Sequence, residues 1–317
     1  MRRLVALMLL SLFGCSSIQK LAVKGVTPIF VEGSDKLTYE RNWEFFKEAS
    51  PSNIQLVEML YLQDPENLPL LTTLIKTYAG YTYAVPETLA FGDELSGVEG
   101  SIHKQNAISY YTKTLDYGLS YFLMKGITKN DLLTLDAKKL SKKIKEKLSK
   151  KDLTAVLFTA QAWLSLINLQ KDNVALITQI PRAKIVIDWV CGEDKDIENG
   201  VCDMFYAQYE GSRPKMLGGN PEKAKELYSA AMKKRPKHLL IRVGYIQYLV
   251  LPGFDEEAYA YESKILKEEF AKWSEINRDT LVDTSEYKSV SHLNLFNAIA
   301  MKRFEMIEQN KTKLFGE

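Results

Sequence analysis

Tyr209-Glu210-Gly211-Ser212-Arg213-Pro214-Lys215-Met216-Leu217-Gly218-Gly219-Asn220-Pro221-Glu222-Lys223-Ala224, followed at helical spacing by Tyr228 and Ala231 and closed by Pro236, decides how this chain folds. Arg213-Pro214 ends one helix and begins a turn, where Gly218 and Gly219 are expected to supply positive φ. Asn220-Pro221 starts the next helix, because Asn offers a capping oxygen and Pro loses nothing in a first turn. Ala224 and Ala231 let a second helix come close, and Tyr228 fills the space between. The glycine pair is not a phosphate loop, since no Gly-Lys-Ser/Thr ending follows and no strand leads in.

Outward from this stretch, Gly253 and Ala258 each follow Gly219 and Ala224 by 34 residues. That period, with a small–aromatic–small pattern, is the second helix of a tetratricopeptide repeat. Glu262 stands where the later unit should carry its aromatic residue, so the repeats are degenerate. Asp64-Pro65-Glu66-Asn67, leading to Leu71, Leu74 and Tyr78, echoes an earlier repeat boundary. Single-face apolar stripes run through Leu153, Val156, Leu157, Ala160, Leu164 and Ile167, and again through Leu293, Phe296, Ala300, Phe304 and Ile307. Breakers at Ser50-Pro51, Asp64-Pro65, Gly92 to Gly100, Gly126, Pro181 and Pro252-Gly253 separate helices. Strand-like alternation is confined to Phe30-Val31 and Lys184 to Val190, and the latter has helical neighbours. The expectation is an all-α fold, a TPR-like helical-repeat solenoid over residues 37–317.

The N-terminus carries Arg2-Arg3, an apolar run from Leu4 to Phe13 and the lipobox-like Leu12-Phe13-Gly14-Cys15. The run is shorter than the roughly 20 residues needed to span a bilayer, so residues 1–14 read as a signal peptide. Cleavage leaves Cys15 for acylation, and several chains together anchor a protein stably. Ordinary secretion with a free Cys15 is the other reading. Residues 15–36 read as a tether. Ser16, in place of Asp, favours the outer membrane over the inner on the periplasmic side. Without Arg2 and Arg3 the basic residues fall from 42 to 40, matching 40 acidic ones, so bulk charge gives no case for nucleic acid. Cys191 and Cys202 form a disulfide in an oxidising compartment, or stay as two thiols at neighbouring helix ends. His103, His238 and His292 are scattered, and no metal site or cofactor is expected.

The stretch from Tyr209 to Ala224 resembles the arginine-proline, Leu-Gly-Gly, Pro-Glu-Lys-Ala signature of the TatT family, the T component of tetratricopeptide-repeat-associated TRAP transporters. Asp64 to Asn67 with Tyr78 and Tyr81, Ala160-Gln161-Ala162-Trp163, and Asn294 to Arg303 with its Asn297 to Ala300 core are similar to further family elements in the same order. The resemblance covers about residues 37–315. It implies a periplasmic, lipid-anchored, all-helical homo-oligomer, typically a trimer, paired with a TRAP solute-binding protein. It also implies a groove or pore for a small hydrophobic or organic-acid ligand. The Cys191/Cys202 pair and the Lys-rich segment Lys138 to Lys151 depart from the family pattern.

Two readings stand at each candidate residue. Arg213 faces the groove as a carboxylate clamp, or neutralises helix-end carbonyls or pairs with a nearby Glu. Several of Tyr78, Tyr81, Tyr83, Tyr110, Tyr111, Tyr117 and Tyr121 line a cavity, or they fill space between layers. Tyr117 and Tyr121, four apart, are the expected core pair. Trp163 is a core anchor or a pore wall. The helix bearing Leu140, Ile144 and Leu148 among lysines lies on anionic lipid, or presents a solvated face. No Gly-x-Ser-x-Gly elbow, His-Glu-x-x-His or Cys–His pairing is present, so no enzyme is expected. The expected role is a T subunit of a TRAP uptake system, with an envelope scaffold lacking any small ligand as the alternative.

Overall fold

The computed structural model describes the backbone of residues 2–278 and 289–316 and the side chains of 19–216, 218–274 and 289–316. The acylation expected at Cys15 concerns a side chain outside those described. In chain order the helices are α1 (Arg2–Lys36), α2 (Trp43–Gln63), α3 (Leu68–Thr82), α4 (Thr88–Ser96), α5 (Ile102–Met124), α6 (Lys129–Thr134), α7 (Ala137–Lys147), α8 (Leu153–Leu169), α9 (Val174–Ile177), α10 (Ile180–Glu193), α11 (Ile197–Gly211), α12 (Pro221–Lys234), α13 (Leu239–Tyr245), α14 (Glu256–Arg278), α15 (Asn294–Gln309) and α16 (Lys311–Phe315). Two π-helical turns, Tyr83–Glu87 and Ile246–Val250, interrupt the series. Among the described residues there is no strand, and the fold is all-α. The chain divides into two compact units: Met1–Lys36 with Glu48–Thr82 and Ile108–Val186, and Leu37–Lys47 with Tyr83–Ala107 and Ile187–Glu317.

In the first unit α3 is buried round most of its surface, with Thr72 and Lys76 on its half-buried stripe. Leu70, Leu71, Leu74 and Ile75 are fully buried, and α1 and α8 pack against the helix. Asn67 caps it by accepting from the Leu70 N–H at 3.1 Å, while its amide donates to Thr27 Oγ1 of α1 at 3.2 Å. The stretch expected to be a tether is therefore helical and seated, with Val23 in the same core. Val23, Thr27 and Ser34 recur on one buried face, a spacing masked in the sequence by the exposed Gly25 and Gly33. Ser50-Pro51 does not break α2, because burial of Ile54, Val57 and Tyr61 carries the helix through the proline. Lys150 to Leu169 is long and apolar enough to cross a membrane, yet most of it is buried, as in a core helix. On α7, Leu140 and Ile144 are fully buried, so its apolar stripe is spent inside and the lysines face solvent.

In the second unit α13 and α4 pack on α15. Asn297 of α15 accepts from the Leu239 N–H at 3.0 Å and donates to the Lys237 carbonyl at 3.1 Å, capping α13 from another helix. On α12, Ala224, Tyr228 and Ala231 are buried, and the Tyr228 ring meets Tyr245 edge-on at 5.7 Å. Only Gly218 of the turn pair has positive φ, at 81°. Gly219 serves a different purpose: a Cβ there would lie 1.8 Å from the Arg213 carbonyl oxygen. The later unit of the period slips by one, with Ala258 half-buried and Tyr259 in the core position. Glu262, where an aromatic residue was expected, is buried and paired to Arg242 of α13. Cys191 and Cys202 are joined in a disulfide, Cα–Cα 5.8 Å. Arg235, at the end of α12, pairs with Asp196 and Asp203 in and beside the loop that this bond closes.

Two stability tests follow from these contacts. The bridged residues are 11 apart in sequence, so replacing both with serine costs about 3 kcal/mol through loop entropy, read as a lower urea midpoint. His238 is 2% exposed, and among the described residues neither ring nitrogen has a hydrogen-bond partner. Burial, with the Arg235 charge beside it, pushes its pKa down to about 3. The unfolded chain then binds the extra proton first. The stability from neutral His238 is complete above about pH 6.5 and falls as pH drops toward 3, by about 2 kcal/mol at pH 5. His238→Leu flattens this pH dependence of the urea midpoint; an unchanged slope refutes the assignment.

Candidate functional site

The first unit builds a tyrosine cluster around one carboxylate. Glu58 sits on α2 between Val57 and the buried Tyr61, on the face that packs inward. It accepts from Tyr78 Oη of α3 at 2.8 Å, from Tyr117 Oη of α5, and from Lys113 Nζ of α5 at 2.6 Å. Lys113 Nζ also lies 5.1 Å from the centre of the Tyr78 ring. Tyr61 stands edge-on to Tyr117 at 5.7 Å, Tyr110 lies 6.4 Å from Tyr78, and Tyr81 lies 6.0 Å from Tyr110. Tyr81, Tyr110 and Tyr117 are only half-buried, so the cluster keeps a face to solvent.

Electrostatics keep the cluster in one protonation state. Burial alone would raise the Glu58 carboxyl, but hydrogen bonds from Lys113, Tyr117 and Tyr78 outweigh it and hold the group below the usual range. Burial, joined by the Glu58 charge, pushes the Tyr117 phenol far up, so it remains a donor. Burial works to lower Lys113, yet its bonds to Glu58 and Tyr78 win and the ammonium is reinforced. Further along α5, Tyr121 donates to Asp152 at 2.6 Å and Lys125 pairs with it at 2.7 Å. Asp152 also takes the N–H and hydroxyl of Ser149, which closes that site.

The second unit buries a cation. Arg303 of α15 is 1% exposed. It donates to Thr88 Oγ1 at 3.0 Å, Gln247 Oε1 at 3.1 Å and the Tyr83 carbonyl at 3.3 Å, with Glu87 at 3.6 Å and the Tyr83 ring at 4.4 Å. Both π-turns contribute to this shell. Pro86 lies in the first and has no N–H to give the helical ladder, and side chains bond carbonyls of the same turn. Arg303 and Thr88 take the Tyr83 carbonyl, and the Trp43 indole takes that of Ala84 at 2.8 Å. Such turns often occur at functional positions.

The structure brings Tyr78, Tyr81 and Tyr110 together, and separates the other candidates from them. Tyr111 is fully buried against Ala162 and Leu166, with no ring surface left for a ligand. Trp163 is 5% exposed and donates to Gln179 at 2.8 Å, in the manner of a core anchor. Arg213 donates to the Tyr209 carbonyl at 2.8 Å, lies 3.5 Å from Glu210 and stacks 3.7 Å from the Tyr209 ring, closing the end of α11. Pro214 leads from there into the Gly218-Gly219 turn. Sequence reasoning missed Glu58, Lys113 and Arg303. The available signal was a lone charge on an otherwise apolar helical face: Glu58 beside Val57 and Tyr61, and Arg303 beside Ala300, Phe304 and Ile307.

What the two centres share is hydrogen-bonded charge enclosed by aromatic rings. The chain belongs to the TRAP transporter T-component family, whose profile matches residues 40–315. No curated protein matches it. Membership gives the chain an accessory role in TRAP transport and a place in the cell envelope.

Arg303→Met leaves Glu87 buried without its cation and costs about 3–5 kcal/mol, measured by urea unfolding. Arg303→Met with Glu87→Leu recovers a large part of the loss. Equal destabilisation in single and double variants would show that the charge pairing is not the cause.

Proposed function

We propose that this chain is a lipid-anchored, periplasmic T subunit that holds a small ligand in the Glu58 tyrosine cluster and delivers it to a TRAP solute-binding protein. Cys15 carries the anchor, and Ser16 directs it to the outer membrane. The subunits assemble as a homo-oligomer, on the family pattern a trimer. The observation that supports ligand holding is the exposure pattern of the cluster: a bonded carboxylate at its base and half-buried Tyr81, Tyr110 and Tyr117 above it. Rings with polar tips at a partly wet surface suit reversible contact with an organic molecule. The work is binding and transfer, with no covalent step.

The second reading, an envelope scaffold without a ligand, is favoured by the internal satisfaction of Glu58. One preparation separates the two. Native mass spectrometry of the chain carrying Cys15→Ser, co-expressed with a TRAP solute-binding protein, reads subunit count, bound small molecules and the complex together. A co-purifying small molecule that disappears in Tyr110→Ala with Tyr81→Ala supports the holding site. An empty protein that still assembles with envelope proteins supports the scaffold. Release from the membrane fraction on Cys15→Ser, against retention of the wild type, tests the anchor.

A further inference from the structure

We propose that the Glu58 cluster selects organic ammonium ions, and that the Lys113 side chain is a built-in occupant which a ligand's amino group displaces. The inference rests on the reading that this cluster is the ligand site, and it names the ligand class.

The argument starts from what already fills the site. An alkylammonium group, Lys113 Nζ, lies 2.6 Å from a Glu58 carboxylate oxygen and 5.1 Å from the centre of the Tyr78 ring. Ring faces carry negative potential and attract cations. Both phenols that reach Glu58 spend their protons on the carboxylate, so they turn oxygen lone pairs, not donors, toward anything else in the site. A cluster of ring faces, phenol oxygens and one carboxylate is complementary to a cation and repels an anion. That selectivity departs from the organic acids expected from family resemblance.

The occupant is able to leave. The Lys113 side chain is 44% exposed and the Glu58 side chain 14%, so the ammonium enters from the solvent side on a flexible stem. An ion pair with one partner this exposed is weakly held. After Lys113 swings out, Glu58 keeps two hydrogen bonds and a full negative charge beneath Tyr61, Tyr78 and Tyr117. Asp152, which meets the same helix α5 through Tyr121, provides the contrast. Its Lys125 partner is 24% exposed, its side chain is 2% exposed, and Ser149 fills its second oxygen. That site is shut, whereas the Glu58 site has a removable plug.

The probe is n-butylammonium, which copies the Lys113 terminus. It is titrated at constant ionic strength into the full chain carrying Cys15→Ser, alone and with Lys113→Ala, and read by calorimetry and tyrosine fluorescence. The expected result is saturable binding that is about tenfold tighter once the built-in competitor is removed, and about tenfold weaker when Glu58→Gln is added. If Lys113→Ala does not fold, Lys113→Met keeps the stem and serves in its place. Absence of saturable butylammonium binding in every variant overturns the proposal, and so does binding that is indifferent to Glu58→Gln. Sodium butyrate is the control arm. Saturable butyrate binding lost in Tyr110→Ala overturns the ammonium class while leaving the ligand site standing.

Discussion

A charge taken out of water must be met by bonded partners, and that requirement shapes both units of this protein. Arg303 takes a threonine hydroxyl, a glutamine amide, a backbone carbonyl and a nearby carboxylate, and a tyrosine ring covers its face. Glu58 and Asp152 each take a tyrosine and a lysine. Glu262 takes Arg242. Apolar packing supplies most of the folding free energy in a chain like this, and it is tolerant of small shifts. Multi-partner charges are not tolerant, since a shift of one turn leaves them unmet. They fix the register in which otherwise greasy helices meet.

The same requirement accounts for departures from regular helix. Pro86 lies in the first π-turn, where the regular i→i−4 ladder is interrupted and side chains bond some of the carbonyls. The Tyr83 and Ala84 carbonyls go to Arg303, Thr88 and Trp43. The π-turn thus places the Tyr83 carbonyl within the cation's shell. At the Gly218-Gly219 turn the logic is steric instead. Gly218 supplies the left-handed conformation, and Gly219 supplies the missing Cβ that lets Arg213 backbone pass.

Much of the fold is legible in the sequence for a physical reason: helical period and breakers report burial and chain direction, which are local. Ala224, Tyr228 and Ala231 read as one buried face and are one. The 34-residue spacing points to Ala258 as the small core residue of the next helix, but Tyr259 rather than Ala258 meets the core. Spacing alone does not set which residue of a turn faces inward. The site is less legible. Tyr78, Tyr81 and Tyr110 announce themselves as surplus aromatics, but their partner Glu58 looks like any surface carboxylate on an amphipathic helix. Tyr117, read as a core residue by its spacing from Tyr121, turns out to bond that carboxylate. Long-range charge pairing leaves almost no trace in one sequence, because either partner is unremarkable without the other. The helical seating of residues 19–36 was hidden in the same way, since Thr27 needs Asn67 to make sense.

Lys113, Tyr117 and Tyr121 of α5 and Lys125 just past its end recur every fourth residue, and one side therefore presents lysine, tyrosine, tyrosine, lysine. Two carboxylates from other parts of the chain meet that face, Glu58 at one end and Asp152 at the other. The chemistry is the same at both ends, but the surroundings differ. Asp152 precedes α8, and the turn that positions it also gives it Ser149, so it helps to hold the helices in place. Glu58 comes from mid-helix, where no turn is at hand to donate backbone N–H groups, and it must rely on side chains. Side chains can move where backbone cannot. A single stripe on one helix thus supports a fixed joint and an exchangeable one, and the difference arises from whether the opposing carboxylate sits at a turn or within a helix.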